Sequence, residues 1–336
     1  MRLFTFLVLE ILLSPITLTG YLVWTLWSVA ISQQQSLSIT ALSPLFFRWL
    51  LHLQGIRPDP AAAELMKTLP SLNEHVNWAV VGPTLWAMNI SGYTPSVFNI
   101  PSPGTENLGN MINTRTLFFD KAIARSLETV EQVVILGAGF DTRLIKFCTN
   151  TDSDTFPALF EVDQRPMQRV KQQALERGLP KLQPIDRAIY RQIRFVPVDF
   201  NQENWIEKLT AAGFQSGKKT FFLWEGVTYY LTEKIVVESI QAMDAVCGRG
   251  SAIAFDFFPK HFLQGQDFWW MPAAMNVLDW IGEPFRFGPD TAIGNEAAIA
   301  QLLTGTGFKL SKLQMMGTYG HSAGFCGLAL VTKSGS

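Results

Sequence analysis

Gln132-Val133-Val134-Ile135-Leu136-Gly137-Ala138-Gly139-Phe140-Asp141 is a short apolar run that breaks into two glycines and then opens a helix-compatible stretch. A run of this length without charges reads as a strand buried on both faces, as in a parallel sheet covered by helices. Glycines directly after it allow backbone angles closed to other residues and let main-chain atoms approach a ligand above the strand's carboxyl end. Taken alone, the turn fits a plain strand-to-helix connection equally well. A dinucleotide fingerprint requires a third glycine where Thr142 stands, which disfavours a nicotinamide-dependent oxidoreductase on the same kind of sheet.

Around this stretch the pattern alternates. Leu159–Val162, Ile193–Val198, Thr220–Trp224 and Ser251–Phe258 repeat the buried strand, with helices expected over Asn107–Leu127, from Asp141, over Gln164–Arg177 and over 201–211 and 232–246. Phe308–Met315 and Gly324–Thr332 read as two adjacent strands joined by a glycine-rich turn. The expected class is α/β, with a mostly parallel, Rossmann-like sheet of seven strands, the last antiparallel, preceded by an apolar N-terminal helix.

Acids stand at the carboxyl ends of three of these strands. Glu161 and Asp163 close the second, about 20 residues beyond the glycines, where a carboxylate can accept from both hydroxyls of a ribose; residue type alone does not choose between the two. Asp199, followed by Phe200, ends the third strand, and Glu225 ends the fourth. Their convergence on one sheet edge, where open α/β folds bind ligands, goes beyond what solvation of strand ends requires. Arg115, on the helix before the first strand, sits among apolar neighbours and needs a partner. Its guanidinium fork matches a ligand carboxylate, or it pairs with Asp120 or Asp141.

The segments Val134-Ile135-Leu136-Gly137-Ala138-Gly139-Phe140-Asp141-Thr142-Arg143, Phe160-Glu161-Val162-Asp163-Gln164-Arg165-Pro166, Val198-Asp199-Phe200 and Trp224-Glu225-Gly226-Val227-Thr228-Tyr229-Tyr230-Leu231, in this order, resemble the leucine carboxyl methyltransferase family, and within it the bacterial branch named as S-adenosylmethionine-dependent methyltransferases. The resemblance covers residues 105–332. It implies a class I methyltransferase sheet and S-adenosyl-L-methionine as cofactor. It further implies that Arg115 binds the methionine carboxylate, that Gly137, Ala138 and Gly139 line the cofactor, that Asp163 takes the ribose and Asp199 with Phe200 the adenine, and that Glu225 lies on the cofactor side of the pocket. Two positions depart from the pattern. Ile135 stands where many class I methyltransferases carry an acid, and Arg165 intervenes before the proline.

Hydrophobic residues make up 48% of the 336 and charged residues 16%, with a net charge of -1. An average soluble chain carries about a quarter charged residues, so part of the apolar excess is expected to face lipid, a partner or an apolar ligand. Without a basic stripe, nucleic acid is not an expected partner. Cys148, Cys247 and Cys326 are far apart, fit neither a disulfide framework nor a zinc site, and read as small buried hydrophobes. No metal is expected.

After Arg2 the chain is apolar to Ile31 with Glu10 as its one charge. About 20 apolar residues suffice to span a bilayer, and membrane helices tolerate residues such as Pro15 and Gly20. Residues 1–31 are therefore expected to be a membrane-anchor segment, residues 32–105 a helical connector, and residues 106–336 the methyltransferase domain, on the cytoplasmic side where the cofactor is made. An interfacial hairpin broken at Pro15, and a signal peptide, are the rival readings. Phe268, Trp269, Trp270, Met271, Trp280 and Phe285 mark residues 260–290 as a lid for an apolar or lipid-like acceptor, or else as a packed aromatic cluster. His261 and His321 lie where they could reach the pocket mouth, but neither is assigned as a base. A carboxylate acceptor needs none, and a hydroxyl acceptor does. A membrane-tethered S-adenosylmethionine-binding protein without turnover is the non-enzymatic alternative.

Overall fold

A computed structural model describes residues 1–35, 37–148, 156–266, 268–318 and 323–334. The chain divides into two compact units. One comprises residues 1–100, 139–142 and 166–187, and the other 101–138, 143–165 and 188–336.

The first unit is helical: α1 (Arg2–Gln35), α2 (Leu42–Leu53), α3 (Pro60–Thr68) and α4 (Glu74–Ser91). α1 continues through Pro15, so no hairpin breaks there. Proline has no N–H for the carbonyl one turn back, and the Ser14 hydroxyl donates to that carbonyl, Ile11 O, at 2.8 Å instead. α1 and α4 lie antiparallel and in contact. Phe6 meets Tyr93 at 5.1 Å between rings, and the Trp27 and Ser28 side chains donate to Pro70 O and Ser71 O at the other end. Midway, a Cβ on Gly20 would stand 2.8 Å from the Ala79 Cβ, an approach that glycine permits. α3 begins with proline at its first turn, and Asp59 caps it by accepting from Ala62 N at 3.0 Å.

The second unit holds α5 (Met111–Leu127), β1 (Gln132–Leu136), α6 (Arg143–Cys148), β2 (Ala158–Asp163), β3 (Arg194–Pro197), α9 (Trp205–Ala211), β4 (Thr220–Trp224), α10 (Glu233–Val246), β5 (Ala252–Phe257), α11 (Lys260–Leu263), α12 (Met271–Trp280), α13 (Asn295–Leu302), β6 (Phe308–Met316) and β7 (Cys326–Lys333). α7 (Arg165–Gly178) and α8 (Pro184–Tyr190) fall mainly in the first unit. The sheet has seven strands in the order β3-β2-β1-β4-β5-β7-β6. Neighbours among the first five pair in parallel, and β7 runs antiparallel to both β5 and β6. This is the sheet expected from the sequence. β1, β4 and β5 are buried at every residue, as their largely apolar sequences require. Their side chains enter a core that includes Phe160, Phe222, Trp224, Phe255 and Ile240.

The register places β1 and β2 level at Leu136 and Val162, and β2 and β3 level at Asp163 and Pro197. The carboxyl ends of β3, β2, β1 and β4 thus form one continuous edge, and the residues that follow them in the chain collect there.

Candidate active site

The edge is organised around a buried guanidinium. α5 carries Arg115, 3% exposed, into the protein. Its Nε donates to Glu225 Oε1 at 3.0 Å, and its Nη1 to Asp256 Oδ2 at 3.0 Å and to the Tyr229 hydroxyl at 3.3 Å. Its Nη2 donates to no group among the described residues. Burial works against the charge of Arg115, but Asp256, Tyr229 and Glu225 outweigh it and hold the guanidinium protonated well above its ordinary range. Asp120 and Asp141, the partners considered from sequence, are engaged elsewhere. Asp120 pairs with Arg143 Nε at 2.8 Å, and Asp141 pairs with Arg48 Nη2 at 3.0 Å.

Glu225 bridges two arginines, taking Arg143 Nη1 on its second oxygen. Asp256, fully buried in β5, also accepts from Gly226 N at 2.6 Å, and its pKa is raised by burial against the opposing pull of Arg115. Burial, reinforced by Asp256, keeps the Tyr229 hydroxyl protonated. Two guanidiniums thus face three carboxyls (Glu225, Asp256 and Asp120) in a region closed to water.

The glycine turn lies beside this network. Gly137 and Gly139 both adopt positive φ, 61° and 46°. Gly137 is also pressed against Val227, whose side chain fills the space a Cβ would take. Gly137 is thus required by conformation and by close approach together. Ala138 N donates to Val162 O at 3.2 Å, which ties the turn to the end of β2.

Asp163 and Asp199 occupy neighbouring positions on the edge, linked through Val198 N, which donates to Asp163 O at 2.8 Å. Both are half-buried. Asp163 Oδ1 accepts from Gln164 N at 2.6 Å. Asp199 Oδ1 accepts from Asn201 N at 2.9 Å, while its Oδ2 has no protein donor among the described residues. Glu161, the alternative to Asp163, is 1% exposed and lies within the strand. Phe200 packs near Trp205, with ring centroids 6.2 Å apart. The structure therefore brings Arg115, Glu225 and Gly137 together, and sets Asp163 and Asp199 side by side on the same edge.

Asp256, Arg143 and Tyr229 are functional candidates that sequence reasoning missed. An acid inside the otherwise apolar run Ala252–Phe257 was the available signal for Asp256, because a buried carboxylate needs a cation.

Tyr229 opens the network toward aromatic side chains. Its ring lies 4.6 Å from Phe285, 4.8 Å from Phe258 and 4.8 Å from Tyr230. Phe268 packs with Phe262 at 5.7 Å. By contrast, Trp269 and Trp280 are 91% and 78% exposed, so residues 260–290 are part packed cluster and part open apolar surface. His261 engages Thr291 Oγ1 at 3.1 Å and Gly324 O at 3.2 Å through its two ring nitrogens, a structural tether. His321 lies outside the described residues. All three cysteines are buried and outside any disulfide, and no group of three or more metal-ligating side chains occurs among the described residues.

A leucine carboxyl methyltransferase family model matches residues 85–244. Curated relatives named "Putative S-adenosyl-L-methionine-dependent methyltransferase" include one from Mycolicibacterium paratuberculosis, 32% identical over 152 residues, covering 45% of this chain and 46% of that one. Another, from Mycobacterium avium, is 28% identical over 204 residues, covering 58% of each. A third, from Bacillus subtilis, is 34% identical over 128 residues, covering 38% of each. The chain spans about half the length of the curated relatives it matches. The matched span runs from α4 into α10, contains every one of the edge residues Arg115, Gly137, Asp163, Asp199 and Glu225, and makes this part of the chain similar to the leucine carboxyl methyltransferase family.

Proposed function

We propose that the protein is an S-adenosyl-L-methionine-dependent methyltransferase that methylates an oxygen, carboxyl or hydroxyl, of an apolar acceptor at a membrane. The observation that carries this reading is Arg115. Its Nε and Nη1 are fixed by Glu225, Asp256 and Tyr229, while Nη2 has no hydrogen-bond partner among the described residues. A guanidinium held on two sides and free on the third is pre-set to take a ligand carboxylate. Asp163 then faces the ribose, Asp199 with its open Oδ2 and Phe200 hold the adenine, and Gly137, Ala138 and Gly139 line the cofactor. Glu225 fixes Arg115 from the cofactor side of the pocket.

The surplus of acid over base around Arg115 suits a cationic ligand better than a neutral one. When bound, S-adenosylmethionine supplies a methyl group on a sulfonium, transferred by in-line displacement. The protein's work is then to position the two partners and to exclude water. The rings of Tyr229, Tyr230, Phe258 and Phe285 adjoin the buried network and provide an apolar bed for the acceptor, with residues 260–290 as its lid. A carboxylate acceptor needs no base, which agrees with His261 being fully engaged.

We assign residues 106–336 to the methyltransferase domain, residues 32–105 to an accessory region, and α1 to membrane association, with the catalytic part facing the cytoplasm. α1 is long and apolar enough for a bilayer, and 11% of its most apolar window is buried. Incubation of the membrane fraction with methyl-labelled S-adenosylmethionine and lipid extract tests the reading. Label entering an extractable acceptor as a base-labile ester or a stable ether supports it. Cofactor binding without label transfer leaves the non-catalytic binding protein instead.

A further inference from the structure

We infer that α1 and α4 together lie in the plane of one membrane leaflet, and that α1 does not cross the bilayer. The inference rests on the membrane association proposed above and specifies its geometry.

The occupant of the exposed face is argued from its chemistry. α1 carries no charge after Glu10, and α4 none after Glu74 apart from a histidine beside it. Phe4, Ile11, Leu18 and Leu26 on α1, with Trp78 and Trp86 on α4, are exposed large apolar side chains. Two exposed hydroxyls of α1 bond back onto its own backbone, Ser14 to Ile11 O and Thr25 to Tyr21 O, each at 2.8 Å. In a medium that offers no hydrogen bonds, polar groups must be satisfied in this internal way. Hydrocarbon fits such a surface.

The orientation follows from connectivity. Between α1 and α4 in the chain lie α2 and α3, and these are fastened to the residues just after β1. Arg48 of α2 pairs with Asp141, and Asp59 at the start of α3 accepts from Thr142 Oγ1 at 2.7 Å. The α2–α3 end of the pair is thus on the same side of any bilayer as the end of β1. The opposite end of α4, at Ser91, leads through residues 92–110 to α5, which packs on β4, β5 and β7. If α4 spanned the bilayer, residues 92–110, which include four prolines and glycines between Gly92 and Pro103, would have to return through hydrocarbon with unsatisfied backbone groups. α4 therefore stays on one side. α1 is held along α4 from Phe6 to Ser28, and stays with it. Length agrees. A 34-residue helix is about 51 Å long against a hydrocarbon core of about 30 Å, and its exposed apolar residues continue from Leu3 to Trp27.

The test is sidedness. In the full chain, Arg2→Cys and Gln34→Cys place single reactive thiols at the two ends of α1, the native cysteines being buried. Each variant is bound to sealed vesicles of phosphatidylcholine and phosphatidylglycerol, floated, and treated with a membrane-impermeant maleimide before and after detergent. The inference predicts flotation, the same labelled fraction at both positions, and no increase on adding detergent. Flotation with one position labelled only after detergent overturns the in-plane geometry and leaves membrane association standing. A chain that does not float, including one that remains a soluble dimer with this face covered by a second copy, overturns both.

Discussion

Arg115 Nη1 lies 3.0 Å from Asp256 Oδ2, across from α5 to the carboxyl end of β5, and both groups are almost wholly buried. Two charges withdrawn from water in this way are tolerable only as a pair, and the pair fixes where the guanidinium points. Asp256 is in this sense a positioning residue for the edge at which the glycines and acids gather.

Removing one partner should therefore be far costlier than exchanging it for a neutral isostere. Asp256→Ala takes from the buried Arg115 one of its two carboxylate partners and leaves Glu225 alone to balance it; loss of a partner costs about 3–5 kcal/mol in other buried pairs. Asp256→Asn should lose less, since it keeps the acceptor for Gly226 N. Urea denaturation of the two variants beside the parent chain checks the order; equal losses would show that charge, not the retained shape and acceptor, is what Asp256 contributes.

Gly137 and Val227 should behave as a coupled pair. Gly137→Ala forces an added methyl into Val227 at a φ of 61°, and overpacking of this kind costs about 1–3 kcal/mol. Val227→Ala opens the space and should recover part of that loss, leaving the backbone cost of about 1–2 kcal/mol. A double-mutant cycle by thermal unfolding reads the coupling, and strict additivity contradicts the contact.

Asp256 and Asp59 should move stability in opposite directions with pH. The carboxyl of Asp256 is raised from 3.8 by burial, against Arg115, so the native state binds its proton more tightly than the unfolded chain. Its contribution is complete below the unfolded value and is lost as pH rises through the folded one. For Asp59 burial alone would raise the carboxyl, but Arg57 and the hydrogen bond from Thr142 outweigh it and hold it below 3.8. Its contribution is present above that value and lost on acidification. The stability of the parent chain minus that of Asp256→Asn should fall as pH is raised from 4, whereas the same difference for Asp59→Asn should fall as pH is lowered below 4. Denaturation midpoints across this range settle both signs.

The thiols should be inert in the folded chain. Burial pushes Cys148 up to about 12, and raises Cys247 and Cys326 as well. Because the thiolate is the reactive form, Ellman's reagent at pH 8 should find no fast-reacting cysteine before unfolding and three after it. A rapidly reacting thiol in the native protein contradicts this packing.

The strands were legible in the sequence because burial on both faces demands unbroken apolar runs. Gln132–Leu136 and Thr220–Trp224 coincide with β1 and β4 residue for residue. The gathering of acids on one sheet edge was legible for the complementary reason, since acids closing apolar strands stand out. α4 was not, because Asn77, Gly82 and Pro83 interrupt its apolar periodicity, and its helical state is supported by α1, far away in sequence. Pro15 left a hairpin open as a rival reading but does not break the helix, since its backbone vacancy is repaired by the Ser14 hydroxyl next to it. Asp256 and Arg143 were hidden because each reads locally as a strand or helix residue. Their significance lies in pairing with Arg115 and Glu225, which only the fold brings near.

Calorimetric titration of the full chain with S-adenosylhomocysteine, with NAD as the comparison ligand, reaches the central claim most directly. The account predicts saturable 1:1 binding of the nucleoside, weakened by about tenfold or more, 1.4 kcal/mol, in Asp163→Asn and in Asp199→Asn, whose half-buried side chains lie outside the buried ion-pair network, and no binding of NAD. Absence of heat with S-adenosylhomocysteine, or tighter binding of NAD, would contradict it.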